Sequence, residues 1–213
     1  MITEEKLNSN FVLWVERLKK YNCYSEEMIN DIGDKLKRAS FALSVNSGCA
    51  YDGSMIDTVL NHLCVIAYHI NEDAFGINAK QRMKHGYLKV NPNILMRVLL
   101  LQHISKAEMF IPQEQQWKIK NGYTFDFNPN MATTLKCGER SIFLCQKYGI
   151  KLSEEEYEAI RIIDKDDENK KADTYVNPLC QIVKIANQLT AIECHRQYEN
   201  KKYKSYNDFF TRR

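Results

Sequence analysis

His103, Ser105 and Cys137 are the side chains whose types could carry chemistry: an imidazole as base or metal ligand, a hydroxyl as nucleophile, and a thiol as metal ligand. Ser105 follows His103 by two positions on what reads as one helix. Near neighbours on a helix point apart, so the two are not expected to act as nucleophile and base. His62 and His69 are seven apart and share a helical face, a spacing read here as a packed or surface pair rather than a metal site. The acidic run Asp164-Lys-Asp-Asp-Glu-Asn169 lacks the sixth-position glycine and the distal bidentate glutamate of a calcium loop, and reads as a solvated loop. No Gly-x-x-x-x-Gly-Lys-Ser/Thr, Gly-x-Gly-x-x-Gly or Gly-x-Ser-x-Gly occurs, which removes the common phosphate cradles and the hydrolase elbow.

The C-terminal stretch interleaves aromatic rings with cations. Such a segment can stack bases and neutralise phosphates, or bury its rings in a partner while its charges stay at the rim. The partner reading is preferred. Lys201, Lys202, Tyr203, Tyr206, Phe209, Phe210, Arg212 and Arg213 are the candidate partner-binding residues, with nucleic acid as the alternative occupant of the same segment.

The elements that must position these residues read as helices almost throughout. Phe11, Trp14, Val15 and Leu18 space one face of a first helix. Met28, Ile29, Ile32 and Leu36 space a second, which Ser25 can cap. A loop holding Gly48 and Gly53 leads into a helix of Met55, Ile56, Val59, Leu60 and Leu63. After a polar stretch with Gly76 and Gly86, Asn91-Pro92-Asn93 opens a helix from Ile94 to about Lys106 that is apolar on nearly all sides and therefore central. Further helices are expected from Glu139 to Tyr148, closed by Gly149, from Glu154 to Ile163 behind a Ser153/Glu156 capping box, and from Pro178 to about Arg196. Between them Trp117, Ile119, Tyr123, Phe125 and Phe127 alternate around Asn121-Gly122, the pattern of a β-hairpin over 117–127.

The chain has 213 residues, 44% hydrophobic and 27% charged, enough to bury one sizeable core. No apolar run approaches the roughly 18 residues a membrane helix needs. The first residues lack the basic and apolar regions of a signal peptide, so neither span nor leader is expected. Seven cysteines, odd in number and without Cys-x-x-Cys, lie mostly in apolar periodic segments; they read as free thiols in a reducing intracellular compartment. The formal charge of +3 is too small to indicate nucleic acid. It is concentrated from Arg196 to Arg213, where six basic residues face two acidic ones. The expected organisation is a helical pair over 1–38, a main domain over 39–195 and a basic, aromatic tail over 196–213.

From about Ala39 to Glu193 the order of elements resembles the HD superfamily of metal-dependent phosphohydrolases. It is most similar to a bacterial group in which an Ala-Tyr-Glu-Gly-like segment leads into a histidine-bearing helix. Cys49-Ala-Tyr-Asp-Gly-Ser-Met-Ile-Asp-Thr58 stands where that group has its first ligand histidine, and the matching position is Thr58. The His-Asp dyad falls on Gln102 and His103, followed by Ile104-Ser105-Lys106, close to the family's Ile-Cys/Gly-Lys. Lys136-Cys137-Gly138-Glu139-Arg140-Ser141 mirrors a Gly-His-Gly-Glu-Lys-Ser segment, with Cys137 in place of the histidine. Ile162 and Ile163 mirror a Trp-His pair, and Asn187 stands for the closing aspartate. The resemblance implies an all-α, HD-like helical bundle with a small β-hairpin insertion.

The replaced ligands decide the functional expectation. An HD centre uses imidazoles and carboxylates to hold one or two divalent metals, which make the hydroxide that attacks a phosphate ester. Thr58, Gln102, Ile163 and Asn187 bring neither imidazole nor anion, and His103 with Cys137 falls short of a normal site. A register shifted by one residue would bring Asp57 and His103 to the motif, but it would also turn both side chains by about 100° off the face the family uses. The reading is a pseudoenzyme without metal or cofactor, a structural or interaction subunit of an oligomeric protein assembly. A bacteriophage tail or connector ring component is one concrete version, placed in the virion; otherwise the bacterial cytoplasm is expected. The alternatives are a divergent phosphohydrolase acting on nucleotides or oligonucleotides, and a nucleic-acid-binding module.

Overall fold

The computed structural model describes residues 2–73, 90–131, 134–164 and 177–202. The Gly76/Gly86 stretch, the acidic run after Asp164 and the tail from Tyr203 lie outside the described residues. So do the tail residues Tyr206, Phe209, Phe210, Arg212 and Arg213 and the side chains of Lys201 and Lys202.

The pairing of α1 (Glu4–Lys20) with α2 (Glu26–Arg38) follows from their caps and stripes. Thr3 Oγ1 accepts from Lys6 N, Ser25 Oγ accepts from Met28 N, and Trp14, Leu18, Met28, Ile32 and Leu36 turn inward. The next helix runs on from α3 (Ser54–Thr58) through a single π-turn, Val59–Leu63, into α4 (Cys64–Asp73). α5 (Pro92–Leu101), capped by Asn91, is the centre of the body: Leu95, Met96, Val98, Leu99, Leu100 and Leu101 are all buried. The expected helix to Lys106 instead breaks over 102–105 and resumes as the one-turn α6 (Lys106–Met109). α9 (Glu154–Arg161) and the long α10 (Pro178–Lys202) pack against α5, α8 (Cys137–Lys147) packs against α9, and Ser153 and Glu156 form the expected capping box. Among the described residues the molecule is therefore all-α with a small β-ribbon.

The ribbon is not the one expected. Its strands are β1 (Phe110–Pro112) and β2 (Phe125–Phe127), antiparallel, with Phe110 opposite Phe127 and Pro112 opposite Phe125. The predicted first strand is the short helix α7 (Gln116–Lys120), on which Trp117 is 62% exposed. Asn121-Gly122 is its helical stop. Gly122 N donates to Ile119 O and Tyr123 N to Lys118 O, the paired bonds of a Schellman motif, and φ of +86° at Gly122 is the left-handed position that motif needs. Asn-Gly reads alike as a hairpin turn or a helix end, and here the helix end wins.

The all-thiol reading also needs correction. Cys49 and Cys194 are bridged, Cα atoms 5.7 Å apart across 145 positions. The argument for a reducing compartment from an unpaired set does not hold for them. Pairing 145 positions away leaves no trace in spacing; it arises where the loop over 44–50 meets the last turns of α10, with His195 Nδ1 3.0 Å from Asn46 O. Reduction, or Cys194→Ser, is expected to lower stability by about 2–4 kcal/mol. Urea unfolding with and without reductant measures this, and equal midpoints would contradict it.

Candidate functional site

Four of the six positions that resemble HD ligands meet in one place. Gln102 stands at the C-terminal end of α5, its N–H donating to Val98 O at 2.9 Å. His103 follows, and tight turns then carry the chain round, with Lys106 N donating to His103 O. Asn187, on the buried face of α10, sits between the two side chains. Its Nδ2 donates to Gln102 Oε1 at 3.0 Å and to Val183 O at 2.8 Å, while its Oδ1 lies 3.0 Å from His103 Nε2. Adjacent side chains diverge on a helix, yet the two ends of one amide span the angle between them. Gln102 and His103, the positions matched to the dyad, therefore share a partner.

This geometry assigns the ring's tautomer. The Asn187 amide hydrogens are used on Gln102 and Val183, so Oδ1 is an acceptor and His103 Nε2 carries the proton. Nδ1 is left as an acceptor, 3.9 Å from Cys137 Sγ. Burial pushes the His103 imidazolium well below its ordinary value, and the Lys106 ammonium adds to that; the Asn187 bond opposes both. Phe41 packs edge-on to the ring at 5.0 Å, and Lys106 Nζ lies over the Phe41 ring at 3.7 Å.

His103 is neutral in the folded protein, while an unfolded chain takes up a proton below about pH 6.5. The folded value is lowered, so the unfolded state binds more protons as pH falls through 6.5. The contribution of His103 to stability is complete above that pH and declines below it, by up to about 1.4 kcal/mol per pH unit. His103→Gln should flatten this part of the curve. Urea midpoints at about pH 7 and about pH 5 in both proteins test it, and parallel declines would contradict it.

Cys137 is the first residue of α8 and half-buried. Ser105 Oγ donates to its carbonyl at 2.8 Å and lies 3.2 Å from its sulfur, so Ser105 and His103 converge on Cys137 although they point apart along the chain. Ser141 joins the same node by accepting from Ser105 N and donating to Gln102 O. The resemblance named Ser105 and Ser141 only as motif positions, without a role here, and the Lys106–Phe41 contact was not foreseen.

The remaining positions go elsewhere. Thr58 is fully buried, and its Oγ1 has no partner among the described residues. Ile162 and Ile163 pack against the core in a short 3₁₀ turn. Asp57, the candidate under a shifted register, accepts from Asn10 Nδ2 at 2.8 Å, Tyr51 Oη at 2.6 Å and Asn61 Nδ2 at 2.8 Å, which commits its carboxylate to that cluster. His62 lies in the π-turn with Nε2 3.5 Å from Gln197 Nε2, and His69 stands against Tyr68. Among the described residues no three His, Cys, Asp or Glu side chains come together in a way that could hold a metal ion. The donor set at the HD-like positions does not fit the family's metals: it offers amides, a thiol and one imidazole whose Nε2 is already engaged.

Beside this node, between the end of α2 and the ribbon, lies a cleft of about 680 Å³. Phe110, Phe125 and Met131 give it apolar walls, and Arg38, Asp52 and Arg140 give it charge of both signs. No helix among the described residues is long and apolar enough to cross a membrane. Comparisons of the chain with family models, with curated proteins and with solved structures return no match.

Proposed function

We propose that this chain is an HD-like helical domain whose metal centre has become a polar packing node, and that it works as a non-catalytic structural or interaction subunit of a larger assembly. The observation that carries this reading is the donor set at the node. Gln102 and His103 both bond to Asn187, and Cys137 lies on the other side of the ring, so Gln102 Oε1, Asn187 Oδ1 and His103 Nε2 are engaged within the node rather than offered to a cation.

The outer face of α10 supports the interaction part. Ile185, Leu189 and Ile192 recur at helical spacing and are 38%, 42% and 63% exposed. This stripe precedes the basic, aromatic segment in the chain. A ring or tail component of a bacteriophage particle is the concrete form of the proposal, and a bacterial cytoplasmic complex is the other.

Light scattering on wild type and Ile192→Glu tests the interaction. A defined oligomer that the charge dissociates is expected, and a wild-type monomer at high concentration would overturn it. An assay of phosphodiester hydrolysis with added manganese tests the other half. Turnover that disappears in His103→Gln would restore the phosphohydrolase reading.

A further inference from the structure

We propose that Cys137 is a nucleophilic thiol, with His103 as its base and Asn187 positioning the ring, forming a site for covalent attachment of a small electrophilic carbon. This goes beyond the structural role, because it assigns chemistry to the node rather than packing alone.

The order of groups is that of an activated nucleophile: thiol, imidazole, then a third residue that orients the imidazole. Cys137 Sγ lies 3.9 Å from His103 Nδ1, the nitrogen that the Asn187 bond leaves as an acceptor. That separation is long for the resting state, and such bonds shorten when a substrate closes the site. Asn187 cannot swing away easily, because Gln102 Oε1 and Val183 O both hold its amide. Cys137 also opens an eleven-residue helix, whose N-terminal dipole favours developing negative charge on sulfur. One donor in the node is uncommitted. Gln102 is fully buried, its Oε1 holds Asn187, and its Nε2 has no partner among the described residues, a group that a bound polar molecule would satisfy.

The step balances simply. The Sγ–C bond forms as the bond from carbon to its leaving group breaks. The leaving group departs with the bonding pair, and the thiol proton passes to His103 Nδ1. Burial and Lys106 disfavour a standing imidazolium, so the proton moves during attack rather than before it.

The other thiols provide internal controls. Cys23, Cys64, Cys145 and Cys180 are buried, and burial pushes Cys23, Cys64 and Cys145 up to about 12, whereas Cys49 and Cys194 are bridged. Iodoacetamide on the native full-length chain, followed by peptide mass spectrometry, should therefore alkylate Cys137 first. His103→Gln should slow that labelling about tenfold or more, while Cys145 stays protected as evidence of folding. Should Cys145 label in that variant, Asn187→Ala takes its place. Its labelling should slow, and the pH–rate profile should move to that of an unassisted thiol, with Lys106, the charged group facing the ring, retained. Labelling of Cys137 at an unchanged rate in a folded variant, or an unchanged pH profile in Asn187→Ala, would overturn the proposal. So would a wild-type Cys137 no more reactive than the buried thiols.

Discussion

Gly48→Ala is expected to destabilise the protein by roughly 3–5 kcal/mol, the sum of left-handed backbone strain and overpacking against a backbone that cannot yield. Gly48 has φ of +92°, and a Cβ there would stand 1.9 Å from the carbonyl oxygen of Cys194 and 2.3 Å from its carbon. Neither atom belongs to a flexible side chain. The loop over 44–50 would have to leave α10, breaking the contact between Asn46 O and His195 and straining the Cys49–Cys194 bridge. Urea unfolding measures the loss. A change below about 1 kcal/mol would mean that loop and helix are not packed this closely.

Arg97→Met should cost about 3–5 kcal/mol, because it strands a buried carboxylate. Arg97 is the one charged residue in α5, and all three nitrogens of its guanidinium donate hydrogen bonds. Nε donates to Glu156 Oε1 at 2.5 Å, Nη1 to the carbonyls of Tyr21 and Asn22, and Nη2 to Lys151 O at 2.8 Å. One side chain thus ties the end of α1 and the start of α9 to the central helix. Glu156 is 4% exposed, and its other oxygen accepts from Ser153 N in the capping box. A second change, Glu156→Gln, should recover part of the loss by removing the uncompensated charge while keeping the cap. A double variant no more stable than Arg97→Met would show that the carboxylate is not the source of the cost.

Where local chemistry decides structure, the sequence was readable. Ser25 and Ser153 accept from backbone N–H groups at the helix starts they were expected to cap, and Asn91, in the expected opening Asn91-Pro92-Asn93, caps the helix two residues earlier than Ile94. The apolar residues from Leu95 to Leu101 are buried around Arg97, as a helix apolar on nearly all sides requires. Features that depend on distant parts of the chain were not readable. Nothing in Leu99-Leu100-Leu101-Gln102-His103 signals that the helix stops at Leu101, since neither glycine nor proline marks the break. β1 has three residues, too few for an alternation to register, and Asn121-Gly122 supports two outcomes equally well. The π-turn at Val59–Leu63 and the bridge between Cys49 and Cys194 are set by packing.

The candidate site was half legible. The resemblance pointed to Gln102, His103, Cys137 and Asn187, which the fold gathers, and to Thr58 and Ile163, which are not bonded to that node. It could not tell that adjacent Gln102 and His103 would both reach Asn187, because that depends on the bifunctional amide between them.

Elemental analysis of the protein purified from cells grown with added manganese, iron, zinc and nickel tests the central claim, that the node holds side chains rather than a cation. The predicted result is metal far below one ion per chain. One or two ions per chain, lost in His103→Gln or Asn187→Ala, would contradict it.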